Sequence, residues 1–328
     1  MPTTNYIVIT SIHEPTEAVR AFSRFEGWTT VVVGDHRSPA GWHCPGVVFL
    51  SIEDQMRLCP ELAALVPGNT YLRKMLGYLY AARNGATAIF ETDDDNVPYD
   101  DARDTLARDL DADPGLGLAV GTASGWTNIY ARFGAPQAWP RGLPLEFILG
   151  DEDSTECAEG LPWSVRQYLA DGEPDVDAIF RLTRNQQVFF ARHQQCRLQS
   201  GTFCPVNSQA TLWRREAFPL MFLPLGVTDR VTDILRGYLA TASLWSSGRT
   251  VSFASPVVRQ TRNPHSLLKD FEDEIDLYRH ADRWARLLRG LSGRDSAHAF
   301  SAAIDACIAA KALGPENREA YRIFRSQF

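Results

Sequence analysis

Four short apolar runs set the terms for this chain. Tyr6-Ile7-Val8-Ile9-Thr10, Thr30-Val31-Val32-Val33, Val47-Val48-Phe49-Leu50 and Ala86-Thr87-Ala88-Ile89-Phe90 are rich in β-branched and apolar residues and continuous rather than alternating. A strand with no polar side is one covered on both faces, which is the rule in parallel sheets flanked by helices. The intervening sequence agrees. Pro15 opens a helix through Val19, Ala21, Phe22 and Phe25 that Gly27 stops, and Tyr71 to Asn84 reads as another, with Gly85 at its end. The fold class expected is therefore α/β, with a mostly parallel central sheet, flanking helices and one main domain over residues 1–260. After Pro264 the pattern changes. Leu268, Phe271, Ile275, Tyr278, Trp284, Leu288 and Leu291 recur at helical spacing, and Phe300, Ile304 and Ile308 mark another helix. Residues 261–328 are expected to form a helical extension packed on the domain. An exposed stripe of that size would instead be an association surface, which leaves room for an oligomer.

The fourth run ends in Glu91-Thr92-Asp93-Asp94-Asp95-Asn96. Adjacent carboxylates repel, so the triplet is costly as structure alone, and a divalent cation removes that cost. In extended chain Asp93 and Asp95 leave on one face, where they would grip a hard, oxygen-seeking ion such as Mn²⁺ or Mg²⁺ and leave coordination sites for a diphosphate. A solvated acidic turn is the plainer alternative. The placement of the triplet, at the carboxyl end of a strand where open α/β sheets bind ligands, favours the metal.

Composition narrows the rest. The chain has 328 residues, 45% of them hydrophobic, and no run near the roughly 18 uninterrupted apolar residues that a membrane span requires. The amino terminus lacks the basic start and apolar core of a signal peptide, and the six cysteines show no paired spacing, so a cytoplasmic location is expected, with at most peripheral membrane association. A net charge of −7 argues against nucleic acid as a partner. The charge is uneven: nine acids stand against Arg166 alone from Asp151 to Asp177, then six arginines and no acid from Arg181 to Arg215. The second stretch would suit a surface facing phosphates or acidic sugars.

Further candidates lie near the edge where the aspartates sit. Thr10 and Ser11 end the first strand, and Asp35 closes the second beside Gly34, where a carboxylate can accept hydrogen bonds from a base or ribose. Arg73 and Lys74 would bring positive charge to a diphosphate, with Asp94 close by. Gly77 would permit close approach of another chain or ligand. Arg236 and Arg262 are further cations that could neutralise the phosphates of a bound nucleotide, and His265 could complete a metal's ligands. Asp233, at a loop-to-helix junction, is either an N-cap or a general base for an attacking hydroxyl, with Asp175 and Asp177 as the other acidic candidates.

Taken in order, several segments resemble one family. Val31-Val32-Val33-Gly34-Asp35 with Pro39 and Trp42, Tyr71 to Tyr80, Ile89 to Asn96, Pro174 to Leu182, Cys204 to Gln209, Asp233 to Tyr238 and Gln260 to His265 are similar to the STELLO-type glycosyltransferase domain. More distantly, the triple Asp is similar to that of reversibly glycosylated polypeptides, which include UDP-arabinopyranose mutases. The resemblance implies a GT-A-like (Rossmann-like) fold and a metal-dependent transferase that moves a sugar from a nucleoside-diphosphate sugar, a UDP-sugar favoured, to a glycan or lipid-linked acceptor. Two departures stand out: Met75 where many relatives have Asn, which would remove an amide contact to the nucleotide, and Leu235 where many have Trp, which would alter the acceptor pocket. A nucleotide-sugar mutase using the same site is the alternative. An aspartyl-phosphate phosphatase fits poorly, because its D-x-D would follow the first strand, and a catalytically dead scaffold would have no need of the three carboxylates.

Overall fold

The computed structural model describes residues 4–149, 154–262 and 266–328. Eleven strands form one sheet: β1 Thr4–Thr10, β2 Trp28–Val33, β3 Val47–Leu50, β4 Ala86–Thr92, β5 Asn96–Pro98, β6 Leu118–Thr122, β7 Ser154–Cys157, β8 Trp163–Gly172, β9 Gln195–Leu198, β10 Ala210–Arg214 and β11 Thr250–Gln260. The helices are α1 Glu17–Phe22, α2 Ile52–Leu58, α3 Pro60–Leu65, α4 Lys74–Arg83, α5 Ala102–Asp111, α6 Ile129–Arg132, α7 Ala178–Thr183, α8 Asp229–Trp245, α9 Leu267–Arg289, α10 Ser296–Ala309 and α11 Glu316–Arg325. The strand order is β3-β2-β1-β4-β10-β8-β11-β9-β6-β7, with β5 pairing on β11.

The α/β class expected from the sequence is the one observed. Parallel pairing is unbroken across β3, β2, β1 and β4, the strands with continuous apolar runs. Beyond β4 the sheet is mixed: β10 is antiparallel to both β4 and β8, and β11 is parallel to β8 but antiparallel to β9 and β5. Val8, Val31 and Val33 enter one apolar cluster and Ile7, Ile9 and Val32 the other, so both faces of the parallel block are covered.

Local departures have local causes. The helix expected over 71–84 begins as a 3₁₀ turn at Tyr71–Arg73 and is buried almost all round as α4. Gly77 serves the sheet rather than a ligand: a Cβ there would lie 2.5 Å from Val8 Cγ1 and 2.7 Å from Val33 Cγ2. Pro174 to Leu182 leads into a helix, α7, which Asp177 caps at its amino end. In α9 the buried positions are Glu274, Leu277, Ala281, Trp284, Ala285 and Leu288, whereas Phe271, Ile275 and Tyr278 are half-buried and Leu268 is exposed. A charged and two small residues concealed this register. Glu274 is buried because it accepts from Arg230, from Tyr278 Oη at 2.5 Å and from the Ala178 N–H at 2.8 Å. The C-terminal helices lie against the rest of the chain, α9 on α7 and α8, α10 on α8 and α11 on α3. All six cysteines are free, and no helix among the described residues is long and apolar enough to cross a membrane.

Candidate active site

The three aspartates occupy the turn between β4 and β5. The Asn96 N–H donates to the Asp93 carbonyl at 3.3 Å, so this is a closed turn and not the extended chain expected. Turning the backbone sends each carboxylate to a different partner. Asp94 accepts from Ser11 Oγ at 2.5 Å, Asp93 pairs with Lys74 Nζ at 2.9 Å, and Asp95 accepts from Gln260 Nε2 at 2.9 Å. Asp95 Oδ1 is buried with no hydrogen-bond partner. Burial pushes the Asp93 carboxyl up to about 7 against the pull of Lys74, with Asp95 and Asp94 adding to the rise. Burial, and then Asp94, likewise raise Asp95.

These features fit a divalent ion. Among the described residues no group of three or more His, Cys, Asp or Glu is placed to hold a metal by itself. Two crowded carboxylates, one with an idle buried oxygen, fit an ion whose remaining ligands come from a bound diphosphate. His265 lies outside the described residues.

A pH dependence follows. With Asp93 raised from 3.8 to about 7, the fold without ion favours the protonated acid across that interval, so this group costs stability as pH rises through it. An ion requires the carboxylate and competes with the proton. Mn²⁺ affinity in the presence of UDP is expected to level off above about pH 7 and to fall up to about tenfold per pH unit below it. Titration calorimetry at several pH values measures this, and an affinity flat from about pH 5.5 to about pH 8 would rule out Asp93 as a ligand.

Thr10, Ser11, Asp35, Arg73 and Asp94 all line one cleft of about 210 Å³. Asp35 accepts from the Thr70 N–H at 3.2 Å and lies 3.5 Å from Arg73 Nε, while Arg73 Nη1 donates to Gln55 Oε1 at 2.9 Å. Lys74 is fully buried and faces Asp93.

Asn207, Ser208 and Gln209 join the aspartate turn to a second acidic cluster. Gln209 O accepts from Thr92 Oγ1 at 2.8 Å and Asn96 Nδ2 at 2.9 Å, and Lys74 Nζ lies 3.4 Å from Ser208 O. On the other side the Ser208 N–H and Oγ each lie 3.3 Å from Asp233 Oδ2, and Asn207 Nδ2 donates to Asp175 Oδ2 at 2.8 Å. Arg141 binds both acids. Its Nε and Nη2 hold Asp175 at 2.8 and 2.7 Å, and its Nη1 and Nη2 reach Asp233 at 3.1 and 3.2 Å. Burial alone would raise Asp175, but Arg141 and Arg230 outweigh it and hold the carboxyl at about 2. Helix α8 comes close enough to build this cluster because position 237 is glycine; a Cβ there would collide with the Val206 carbonyl.

Several assignments made from the sequence change here. Asp233 is no N-cap: α8 starts at Asp229, and Asp233 sits in its second turn with Oδ1 accepting from its own neighbour, the Ile234 N–H, at 2.9 Å. Asp177 is fully buried, accepting from the Phe180 N–H at 2.8 Å and Trp139 Nε1 at 2.7 Å, and is a helix cap rather than a base. Burial raises it to about 6. Arg236 does not reach phosphate, because its Nη1 and Nη2 hold Glu91 at 2.9 and 2.7 Å in the core. Met75 and Leu235 are core residues that face no cleft. Of the six arginines from Arg181 to Arg215, Arg197 and Arg214 bind backbone carbonyls, so that stretch is no anion-facing surface as a whole. Arg141, Ser208 and Gln260 were missed as site residues. A lone arginine between Arg132 and Arg166, facing nine acids in sequence, was the one available signal for Arg141.

The model of the STELLO glycosyltransferases matches residues 230–314, which span α8, β11, α9 and α10 and include Asp233, Gln260 and Arg262. Two Arabidopsis thaliana proteins described as probable glycosyltransferases, STELLO2 and STELLO1, are each 30% identical over 314 residues, 91% of this chain. These matches support a STELLO-type family for the chain. The chain spans 40% of the length of those STELLO relatives. Among solved structures, glucosyl-3-phosphoglycerate synthase from Mycobacterium tuberculosis, with Mn²⁺, uridine diphosphate and glucosyl-3-phosphoglycerate, matches over 88% of this chain and 80% of its own, with a TM-score of 0.41 and 11% identity. That likeness is too slight to bear on what the STELLO-type domain does.

Proposed function

We propose that this domain transfers a sugar from a nucleoside-diphosphate sugar, UDP-sugar being the first choice, to a glycan or lipid-linked acceptor, with Mn²⁺ or Mg²⁺ as cofactor. The observation that carries this reading is the Asp93–Asp95 turn at the end of β4, set beside the Asp35 cleft and linked through Ser208 to Asp233. Similarity to the STELLO glycosyltransferases supports it.

Each part of the chain has its task in this proposal. The cleft lined by Ser11, Asp35 and Arg73 takes the nucleoside. Asp93 and Asp95 would hold the ion, which when bound offsets the charge gathering on the departing diphosphate. Lys74, buried against Asp93, fixes that carboxylate and adds a second positive charge nearby. Asp233 accepts the proton of the attacking hydroxyl. Its oxygens are held by Arg141 and Ser208, and the Ser208 hydroxyl, which also meets Tyr71 Oη, can turn from one partner to the other and free an acceptor position.

The test is Mn²⁺-dependent release of UDP from UDP-sugars, measured on the wild type and on Asp233→Asn. A missing base typically lowers rate by about 10²–10⁴-fold, so the variant should lose at least about a hundredfold in turnover while UDP affinity stays nearly constant. Because Asp233 anchors Arg141 rather than capping a helix, the amide should also cost about 1–3 kcal/mol of stability. Near-normal turnover in Asp233→Asn would remove it from the chemistry. Absence of Mn²⁺-dependent binding for every nucleoside diphosphate tried would sink the function itself.

A further inference from the structure

Four arginines from different parts of the chain surround Glu173-Pro174-Asp175: Arg141, Arg181, Arg230 and Arg262. Two are accounted for. Arg141 is consumed by Asp175 and Asp233, and Arg230 by Glu274, with Asp175 3.9 Å away. Arg181 and Arg262 contact Glu173, with Asp175 near both and Asp270 near Arg262. Arg181 Nη1 lies 3.7 Å from Glu173 Oε1 and its Nη2 donates to the Pro174 carbonyl at 2.7 Å, whereas Arg262 gives Glu173 only its backbone N–H, at 2.6 Å. Arg262 Nη1 and Arg181 Nε are both buried with no hydrogen-bond partner. Arg262 Nη1 is the only terminal guanidinium nitrogen so placed among the described residues. Burial first, and then the neighbouring Arg230 and Arg181, depress Arg262 to about 10 against the pull of Asp175 and Asp270.

Guanidinium groups brought together with idle donors present the fork that matches an oxyanion. Their position is specific. Arg262 lies two residues beyond Gln260, which holds Asp95, and its charge acts on both Asp95 and Asp175. Nothing in the Asp35 cleft includes either arginine.

We propose that Arg262 and Arg181 bind an oxyanion carried by the acceptor, a phosphate or carboxylate group near the attacking hydroxyl, so that the acceptor class is anionic rather than a neutral glycan. This rests on the transferase reading above and deepens it. A diphosphate from the donor has the same chemistry, and the experiment separates the two sources.

Methyl phosphate is titrated into wild-type protein already saturated with UDP and Mg²⁺, with trimethyl phosphate as the uncharged control, and the melting temperature is followed. The expected result is further stabilisation by methyl phosphate alone, with its affinity reduced at least tenfold in Arg262→Gln and in Arg181→Gln while UDP affinity holds within about threefold. Displacement of UDP by methyl phosphate would assign the arginines to the donor and overturn the proposal. So would the absence of any effect on the UDP-loaded protein, and so would unchanged methyl phosphate affinity in both variants. If UDP and Mg²⁺ themselves fail to bind the wild type, the transferase reading falls first and the acceptor assignment with it.

Discussion

Asp95→Ala is expected to weaken Mn²⁺-dependent UDP binding by about a hundredfold or more, equivalent to about 2.7 kcal/mol, with little loss of stability. One oxygen of Asp95 is buried without a partner and the carboxyl is raised by burial, so the native fold already pays to keep a charge there. In the proposed reading, removing it would delete one of the two carboxylates that hold the ion, and it relieves crowding with Asp94. Against that stands one lost acceptor for Gln260, worth about 1 kcal/mol. Calorimetric titration with UDP, in Mn²⁺ and in EDTA, reads the first effect and thermal melting the second. Equal affinity in both media for the variant and the wild type would mean that the aspartate turn holds no ion.

The largest stability effect is expected from Arg236→Met. Arg236 and Glu91 are fully buried, and Trp213 Nε1 also donates to Glu91, at 2.8 Å, with Tyr78 as a further donor. Deleting the cation leaves a carboxylate in the core with two neutral donors, and breaking such a pair from one side costs about 3–5 kcal/mol. Glu91→Leu combined with Arg236→Met removes both charges and should recover much of the loss, because well-packed apolar residues of similar volume often replace a buried pair without penalty. Denaturant unfolding measures both variants. A single variant as stable as the wild type would show that Glu91 is neutral in the fold.

The parallel block and the place of the aspartates at the end of β4 were legible because each leaves a local signature, continuous apolar runs and three charges that no strand or helix favours, whereas the closed turn they form was not. Asp35, Arg73 and Lys74 were legible for a related reason, since they sit at the ends of elements whose order the runs imply. Asp177 and Arg236 were misplaced because sequence shows a charge but not its burial or its partner. Asp177 is a cap, and Arg236 answers a glutamate 145 residues away. Arg141 and Ser208 lie in stretches with no periodicity, and their roles arise only when α8 is laid against the Asn207–Gln209 segment. Glu274 shows the same limit from the other direction, a charge that burial and three donors turn into a core residue.

Strand β5 begins immediately after the aspartates and pairs with β11, so the turn is clamped at both ends by the sheet, and the Asp95 contact joins residues 165 apart. Chain from both halves must therefore be in place before the carboxylates have their final shape. Closing so long a loop is entropically expensive and slow, and it happens during folding rather than during ligand capture. If the turn takes a nucleotide as proposed, it would need little further ordering once made, so affinity would not be spent on organising the receptor. On that proposal the same wiring would make ligand capture a report on complete folding: a nascent chain that has emerged only as far as β10 carries all three aspartates and still lacks the strand that holds them.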